Sequence, residues 1–152
     1  MIVQCDSREH KGKNAHILDY FDEVGIKHFT SKLVVGDYMN LDNPKLVVDR
    51  KKDLQEVAGN LTKDHERFRT ECERAKDLGI HLIILVEEKT INRIDKVPSW
   101  YNYRRAKNPK AISGKQLWKI MTTMAEKYDI EWKFSTRENY GRKLVELLEV
   151  QK

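Results

Sequence analysis

Two aspartates in the first third of the chain are spaced so that one hairpin would bring their carboxylates together. The turn-forming sequence Asp42-Asn43-Pro44 separates two segments with strand character. If these three residues form the hairpin loop, the strand register places Asp37 directly opposite Asp49. Directly opposed residues have Cβ atoms about 4.5–5.5 Å apart on one face of a sheet. We therefore expect the two carboxylates to lie side by side.

Lys51 lies two positions after Asp49, and alternate residues of a strand point to the same face, so its ammonium group joins the pair. Adjacent carboxylates repel each other unless a cation lies between them. Mg²⁺, or Mn²⁺ in its place, binds one or two carboxylates and keeps several water ligands. A lysine beside such an ion stabilises the negative charge that develops during attack on a phosphodiester. The three side chains therefore indicate metal-dependent phosphodiester hydrolysis.

The alternative is a solvent-facing hairpin in which Asp49 and Lys51 form an ordinary surface pair. The apolar run Leu46-Val47-Val48 directly precedes Asp49, which indicates that this aspartate leaves a buried strand. Because a buried charge without a partner is costly, the apolar run favours a site that holds a cation.

The apolar periodicity predicts the elements that must position these residues. The predicted order of elements is βα, ββ, αα, β, α, β, α. A largely apolar strand lies at 80–86, and a capping box, Ser113-x-x-Gln116, marks the start of a later helix. Strands and helices mixed around one hairpin indicate the α/β class, with a mixed central β-sheet flanked by helices. Residues 89–109 are predicted to form one long loop. The length favours a single domain over residues 1–152.

The positive charge of the chain is concentrated in one stretch. The net charge is +5, and residues 96–125 contain seven Lys or Arg residues, four Trp or Tyr residues and no Asp or Glu. Cations interleaved with flat rings suit phosphates and unstacked bases, although a solvated loop followed by the polar back of an amphipathic helix would give the same pattern. The residues that we predict to contact nucleic acid are Arg8, Arg104, Arg105, Lys107, Lys110 and Lys115.

Several classes of protein are disfavoured by the same sequence. The longest apolar run, 80–86, is far too short to span a bilayer, so we expect no membrane contact. The N-terminus has no apolar signal region behind a basic start, so we expect a cytoplasmic protein. Cys5 and Cys72 have no Cys-x-x-Cys spacing, and the five histidines show no metal-ligand spacing, which argues against a zinc site.

Four short motifs occur in order over residues 2–87. They are Asp6-Ser7-Arg8-Glu9, Gly36-Asp37-Tyr38, Val48-Asp49-Arg50-Lys51 and Gly59-Asn60-Leu61. Together they resemble the nuclease domain of the XPF-type structure-specific endonucleases, and the compact form is similar to phage-borne members found in bacteria. The resemblance implies a restriction-endonuclease-like fold and a metal-dependent endonuclease for DNA, acting on branched, flapped or nicked substrates.

The resemblance also implies roles for individual residues. Asp37 and Asp49 bind the metal ion, and Lys51 is catalytic. Arg50 supports the site, and Asp6 adds an outer carboxylate.

The chain departs at two positions from the family pattern, which is Gly-Asp, a gap, Glu-Arg-Lys, three residues and Asp. Asp49 replaces the usual Glu, which keeps the charge but shortens the reach by one methylene. Gln55 occupies the position of the final Asp, so either Asp53 or Glu56 must serve. Alignment through the last of the four motifs favours Glu56.

Two other functions are compatible with these residues. One is a catalytically silent nuclease-fold module that binds DNA and positions a partner, but the intact Asp37, Asp49 and Lys51 argue against silence. The other is processing of RNA, which neither charge nor motif excludes. The sequence is compatible with a homodimer or with a partner protein.

The remaining charges receive structural interpretations. The helix after Thr62 carries three arginines and three glutamates that alternate as an ion-paired outer surface would. These residues are Arg67, Arg69, Arg74, Glu66, Glu71 and Glu73. Glu87 and Glu88 follow a buried strand, where they either approach the site or form a solvated strand end, and the solvated end is the commoner interpretation.

Overall fold

A six-stranded mixed sheet carries helices on both faces in the computed structural model, which describes residues 1–8 and 12–149. The strands are β1 (Ile2–Cys5), β2 (Lys27–Thr30), β3 (Tyr38–Asn40), β4 (Leu46–Lys51), β5 (His81–Glu87) and β6 (Glu131–Ser135). The helices are α1 (Ala15–Val24), α2 (Leu54–Leu61), α3 (His65–Asp77), α4 (Gly114–Tyr128) and α5 (Tyr140–Leu148). Glu9 of the first motif lies outside the described residues.

The strand order is β2-β1-β3-β4-β5-β6. β3 pairs antiparallel with both of its neighbours, whereas β4, β5 and β6 are parallel to one another. β5 is apolar and buried along most of its length, as is typical of a parallel strand covered on both faces. This confirms the predicted α/β class with a mixed central sheet.

The β3–β4 hairpin has the predicted register. Tyr38 pairs with Val48 and Met39 pairs with Val47, and one further step along the strands places Asp37 opposite Asp49. The connection is longer than the predicted three residues, because β4 begins at Leu46.

Two hydrophobic cores lie on opposite faces of the sheet, and the alternation along β4 divides its residues between them. Val47 packs in the core with α2, α3 and α4, whereas Val48 packs in the core with α1 and α5. By the two-residue period of a strand, Asp49 and Lys51 share the face of Val47, and Arg50 shares the face of Val48.

The segment between β5 and α4 is more ordered than the single loop predicted from the sequence. It contains two short 3-10 helices, Ile94–Ser99 and Tyr103–Ala106. Val97 is buried, and the Asn102 side chain, also buried, donates a hydrogen bond to the Ile112 carbonyl oxygen at 2.8 Å. The segment is therefore fixed against α4. In the part of the chain that the structure describes, no helix is both long and apolar enough to cross a membrane.

Candidate active site

The turn before β3 sets the position of Asp37. Gly36 has a φ of 70°, in the left-handed region that favours glycine, and a Cβ at this position would collide with the Val47 side chain. The next residue, Asp37, donates its backbone N–H to Val48 O at 3.0 Å, and its Oδ2 accepts the N–H of Arg50 at 2.7 Å. The carboxylate of Asp37 is thereby held against the strand that carries Asp49.

Asp49 and Lys51 form a nearly buried ion pair. Lys51 Nζ lies 3.0 Å from Asp49 Oδ2, and the two side chains are 13% and 7% exposed. The ammonium also lies 5.5 Å from the centroid of the Phe68 ring. Burial lowers the pKa of Lys51, but Asp49, with Glu56 and Asp37, outweighs burial and raises the pKa above its ordinary value. The lysine is therefore a fixed positive charge.

Glu71 of α3 joins the site, which corrects its interpretation as part of an ion-paired helix surface. Its Oε1 accepts the N–H of Gly36 at 3.0 Å. Burial raises the pKa of the Glu71 carboxyl, and the charge of Asp49 raises it further, while the Gly36 N–H, Lys51 and Arg8 act in the opposite direction. Glu71 is therefore a third carboxylate beside the hairpin.

The rest of that helix surface agrees with the sequence interpretation. Arg69 lies 2.7 Å from Glu66 and 3.7 Å from Glu73, one turn of α3 before and after it. These pairs are exposed and add little to stability.

We expect Glu71→Gln to raise the melting temperature near neutral pH in the absence of divalent ions. Because folding raises the pKa of Glu71, its protonation favours the folded state below the unfolded pKa, and that contribution is lost as the pH rises through the folded pKa. Glutamine resembles the protonated carboxyl and still accepts the Gly36 N–H. A gain of about 1 kcal/mol would raise the melting temperature of a protein of this size by about 2–4 °C.

The measurement for Glu71→Gln is differential scanning calorimetry over a pH series. The difference from wild type should shrink towards low pH, where the wild-type carboxyl is protonated too. Glu73→Gln is the matched control, because Glu73 lies on the exposed surface of the same helix. A difference in melting temperature that stays constant with pH would show that folding does not raise the pKa of Glu71.

Asp6, expected as an outer carboxylate, is buried and holds the chain around the site. Its Oδ1 accepts the N–H of Leu33 at 2.8 Å, and its Oδ2 lies 2.9 Å from Arg8 Nε. The Arg8 guanidinium also donates to Leu33 O at 2.9 Å. The backbone N–H of Asp6 donates to Asp37 O at 2.8 Å, so this network fixes the backbone of Asp37, the residue before β3.

The two candidates for the last carboxylate lie at the start of α2. Asp53 is the N-cap, and its Oδ1 accepts the N–H of Glu56 at 2.8 Å. In return, Glu56 Oε1 accepts the N–H of Lys52 at 3.1 Å. Only Glu56 is among the groups that raise the pKa of Lys51, whereas Asp53 serves the helix terminus.

The Arg50 side chain lies on the opposite face of the sheet from Asp49 and Lys51. Its guanidinium lies 5.8 Å from the centroid of the Tyr140 ring and 3.9 Å from Glu87 Oε2. Glu87 also pairs with His16 at 2.9 Å and with Arg137 at 3.6 Å. Arg50 contacts the site through its backbone N–H, which donates to Asp37 Oδ2.

The prediction that Glu87 and Glu88 form a solvated strand end is wrong, because both carboxylates have partners within the protein. Glu87 is 11% exposed and belongs to the cluster with Arg50. Glu88 Oε1 accepts the N–H of Leu54 at 2.7 Å, so this carboxylate joins β5 to the first turn of α2. Both side chains support elements that carry the site.

The donor chemistry of the site fits one hard divalent cation. Among the described residues, five carboxylates interact electrostatically with Arg8, with Lys51 or with both: Asp6, Asp37, Asp49, Glu56 and Glu71. No group of three His, Cys, Asp or Glu side chains within 1–8 and 12–149 is arranged as a complete metal site. Mg²⁺ needs only one or two carboxylates because waters complete its shell. Asp37 and Asp49 meet that requirement.

The predicted nucleic-acid contacts fall into two groups. Arg104, Lys107 and Lys110 line a groove beside the start of α2. Arg105 instead donates a hydrogen bond to Ala111 O within its own segment, and Lys115 is exposed on α4 outside the groove. Arg8 is half-exposed and bonded to Asp6.

Comparisons with known proteins add a family and a fold. The family model of the ERCC4 domain matches residues 5–139. The structure of XPF from Aeropyrum pernix is similar at 18% identity and a TM-score of 0.67, over 97% of this chain and 60% of that one. XPF from Aeropyrum pernix in complex with DNA is similar at 20% identity and a TM-score of 0.69, over 97% and 62%. Comparison with curated proteins gives no significant match.

The chain thus spans about three fifths of the length of these two XPF structures. At such identities the likeness describes the fold, and it confirms the predicted restriction-endonuclease-like arrangement. The predicted resemblance to XPF-type nuclease domains is confirmed by the family match together with that likeness.

Proposed function

The chain belongs to the ERCC4 domain family, and from this membership we propose that it is a divalent-metal-dependent endonuclease that hydrolyses phosphodiester bonds in branched, flapped or nicked DNA. The observation that carries the proposal is the opposed pair Asp37 and Asp49 with Lys51 beside it. DNA as substrate is supported by the basic groove next to this site and by the likeness to an XPF structure in complex with DNA.

Asp37 and Asp49 would hold the metal ion, Mg²⁺ or Mn²⁺, which supplies Lewis acidity and lowers the pKa of a bound water. The chain's own contribution is to hold these two carboxylates in place before any ion arrives. The Arg50 N–H fixes Asp37, and the buried ion pair fixes Asp49. The site is thus preorganised, so little rearrangement is needed at the moment of reaction.

Lys51 would stabilise the negative charge that builds on the phosphate oxygens. Its ammonium is nearly buried, and its raised pKa keeps it protonated. A positive charge in a poorly solvated position interacts more strongly with a developing anion than the same charge in water. Lys51 therefore acts mainly on the transition state.

The proposal is tested with a panel of labelled duplex, nicked, flapped, forked and four-way DNAs, each incubated with Mg²⁺, Mn²⁺ or EDTA. We expect endonucleolytic cuts in at least one branched or nicked substrate with either metal ion and none with EDTA. Binding of the same substrates without cleavage under every condition would support the silent DNA-binding module instead.

The groove cations should set the salt dependence of binding. We expect the combined variant Arg104→Ala, Lys107→Ala and Lys110→Ala to flatten the plot of log affinity against log salt concentration. Each phosphate contact contributes about 0.7 to the slope for a single strand and about 0.9 for duplex DNA, so the full change is about two to three units. Fluorescence anisotropy in EDTA at several salt concentrations measures the slope.

Lys115→Ala is the control for this measurement, because Lys115 is an exposed lysine of α4 that does not line the groove. It should leave the slope nearly unchanged. If the triple variant keeps the wild-type slope, the DNA-binding surface lies away from residues 102–112, and the assignment of Asp37, Asp49 and Lys51 is unaffected.

A further inference from the structure

A wide groove begins at the residue that follows Lys51. Its volume is about 1460 Å³, and it lies between α2 on one side and residues 102–112 with the first half of α4 on the other. Lys52 and Glu56 line it at the end nearest the hairpin. The groove therefore leads directly away from the proposed reacting centre.

The lining of the groove has an excess of positive charge. It contains six cations, Lys52, Lys63, Arg104, Lys107, Lys110 and Lys119, and three carboxylates, Asp53, Glu56 and Asp64. Two of the carboxylates, Asp53 and Glu56, are used in the capping bonds of α2. None of the six cations forms an ion pair with a carboxylate of residues 1–8 or 12–149. Such a surface suits a polyanion.

A base stacks on an aromatic side chain only where the face of the base is free. In a duplex each face is covered by the neighbouring base pairs, whereas in an unpaired strand the faces are available. A cationic groove with an exposed aromatic ring therefore fits an unpaired strand better than a duplex.

An exposed ring completes the groove. Tyr103 lines it with a side chain that is 63% exposed. Flat aromatic rings beside a cationic track stack successive bases of single strands. Tyr101 is 66% exposed on the same segment but does not line the groove.

We propose that this groove binds one unpaired strand of a DNA substrate, with a base stacked on Tyr103 and the backbone held by the groove cations. The inference rests on the proposed function, since it assigns the path of the strand next to the cleavage site. The ring of Tyr103 contacts only a base that has left the base stack.

The test measures binding of the whole protein to short labelled DNAs by fluorescence anisotropy in EDTA, where no cleavage occurs. The DNAs are a mixed-sequence single strand, the same strand with abasic sites and the corresponding duplex. Tyr103→Ala should weaken binding of the intact single strand about 5- to 150-fold, the range for the loss of one base–aromatic stack. Binding of the abasic strand and of the duplex should change little.

Tyr101→Ala is the matched control and should bind all three DNAs as wild type does. An equal effect of both tyrosine variants, or an equal loss on single strand and duplex, would overturn the proposal. A single-stranded RNA bound as tightly and with the same dependence on Tyr103 would overturn the assignment to DNA. The readout is binding without metal, so this test is independent of cleavage. The groove proposal can be overturned although the protein cuts DNA, and it can be supported although the protein cuts nothing.

Discussion

Asp37→Asn and Asp49→Asn should each abolish cleavage of DNA while the protein keeps its fold and much of its affinity for DNA. Each change removes one negative charge from the pair that would hold the metal ion, with nearly the same shape. Loss of one electrostatic group of an active site reduces the rate by about 10²–10³-fold, and loss of a metal ligand should reduce it at least as much. Affinity for DNA should stay level or rise, since a charge that repels phosphates is gone.

Single-turnover cleavage with Mg²⁺ measures the rate, and anisotropy in EDTA measures binding. Asp37→Asn is the cleaner variant, because asparagine can still accept the N–H of Arg50. Asp49→Asn leaves the nearly buried Lys51 without its partner, so thermal unfolding must accompany it.

Asp53→Asn is the matched control for these two variants. Asn caps a helix about as well as Asp, and Asp53 is the N-cap of α2. It should therefore cleave at close to the wild-type rate. Wild-type cleavage by either Asp37→Asn or Asp49→Asn would place the active site elsewhere.

Lys51→Met should remove turnover with only a small change in the affinity for DNA. In the proposed function the ammonium acts where charge develops in the transition state, so its loss should lower kcat by about 10²–10³-fold and leave KM nearly unchanged. Methionine keeps much of the apolar stem against Phe68 and removes only the charge.

Lys52→Met is the control for Lys51→Met, since Lys52 is the adjacent lysine but is exposed and lines the groove. This variant should weaken binding modestly and leave kcat close to wild type. The concentration of Mg²⁺ needed for half-maximal rate should not rise in Lys51→Met. If kcat is unchanged while KM rises, Lys51 is a binding residue and not a catalytic one.

The register of the hairpin could be predicted because local chemistry determines it. The turn sequence and the two-residue alternation give the pairing of β3 with β4, and hence Asp37 opposite Asp49. The loop came out longer than expected, but the register did not change, since the added residues extend the connection on both sides.

Glu71 was missed because its helix contains real ion pairs. Arg69 with Glu66 and Glu73 forms the expected surface, and Glu71 carries the same kind of charge. One signal was present: Glu71 lies three residues after Phe68 and next to Cys72, at the border of the apolar stripe of α3. The apolar stripe of α3 has two borders. The one that faces the Gly36 turn is determined by the packing of α3 on the sheet, which the sequence alone does not give.

The order within the segment between β5 and α4 could not be predicted, for another reason. Short 3-10 helices have no repeating apolar pattern, and Pro98 in the first of them favours a loop prediction. The order of this segment comes from single contacts, such as Asn102 with Ile112 and Arg105 with Ala111, which have no periodicity. The groove could not be predicted for the same reason.

The local origin of the carboxylate pair has a kinetic consequence. Asp37 and Asp49 are joined by one hairpin, so the chain entropy lost in bringing them together is small, and short-range contacts form early in folding. Glu71 and the groove need α2, α3 and the distant segment before α4, which are long-range contacts. We expect Asp37 and Asp49 to come together before the surfaces that would hold the substrate have formed, so the proposed site would assemble outwards from this carboxylate pair.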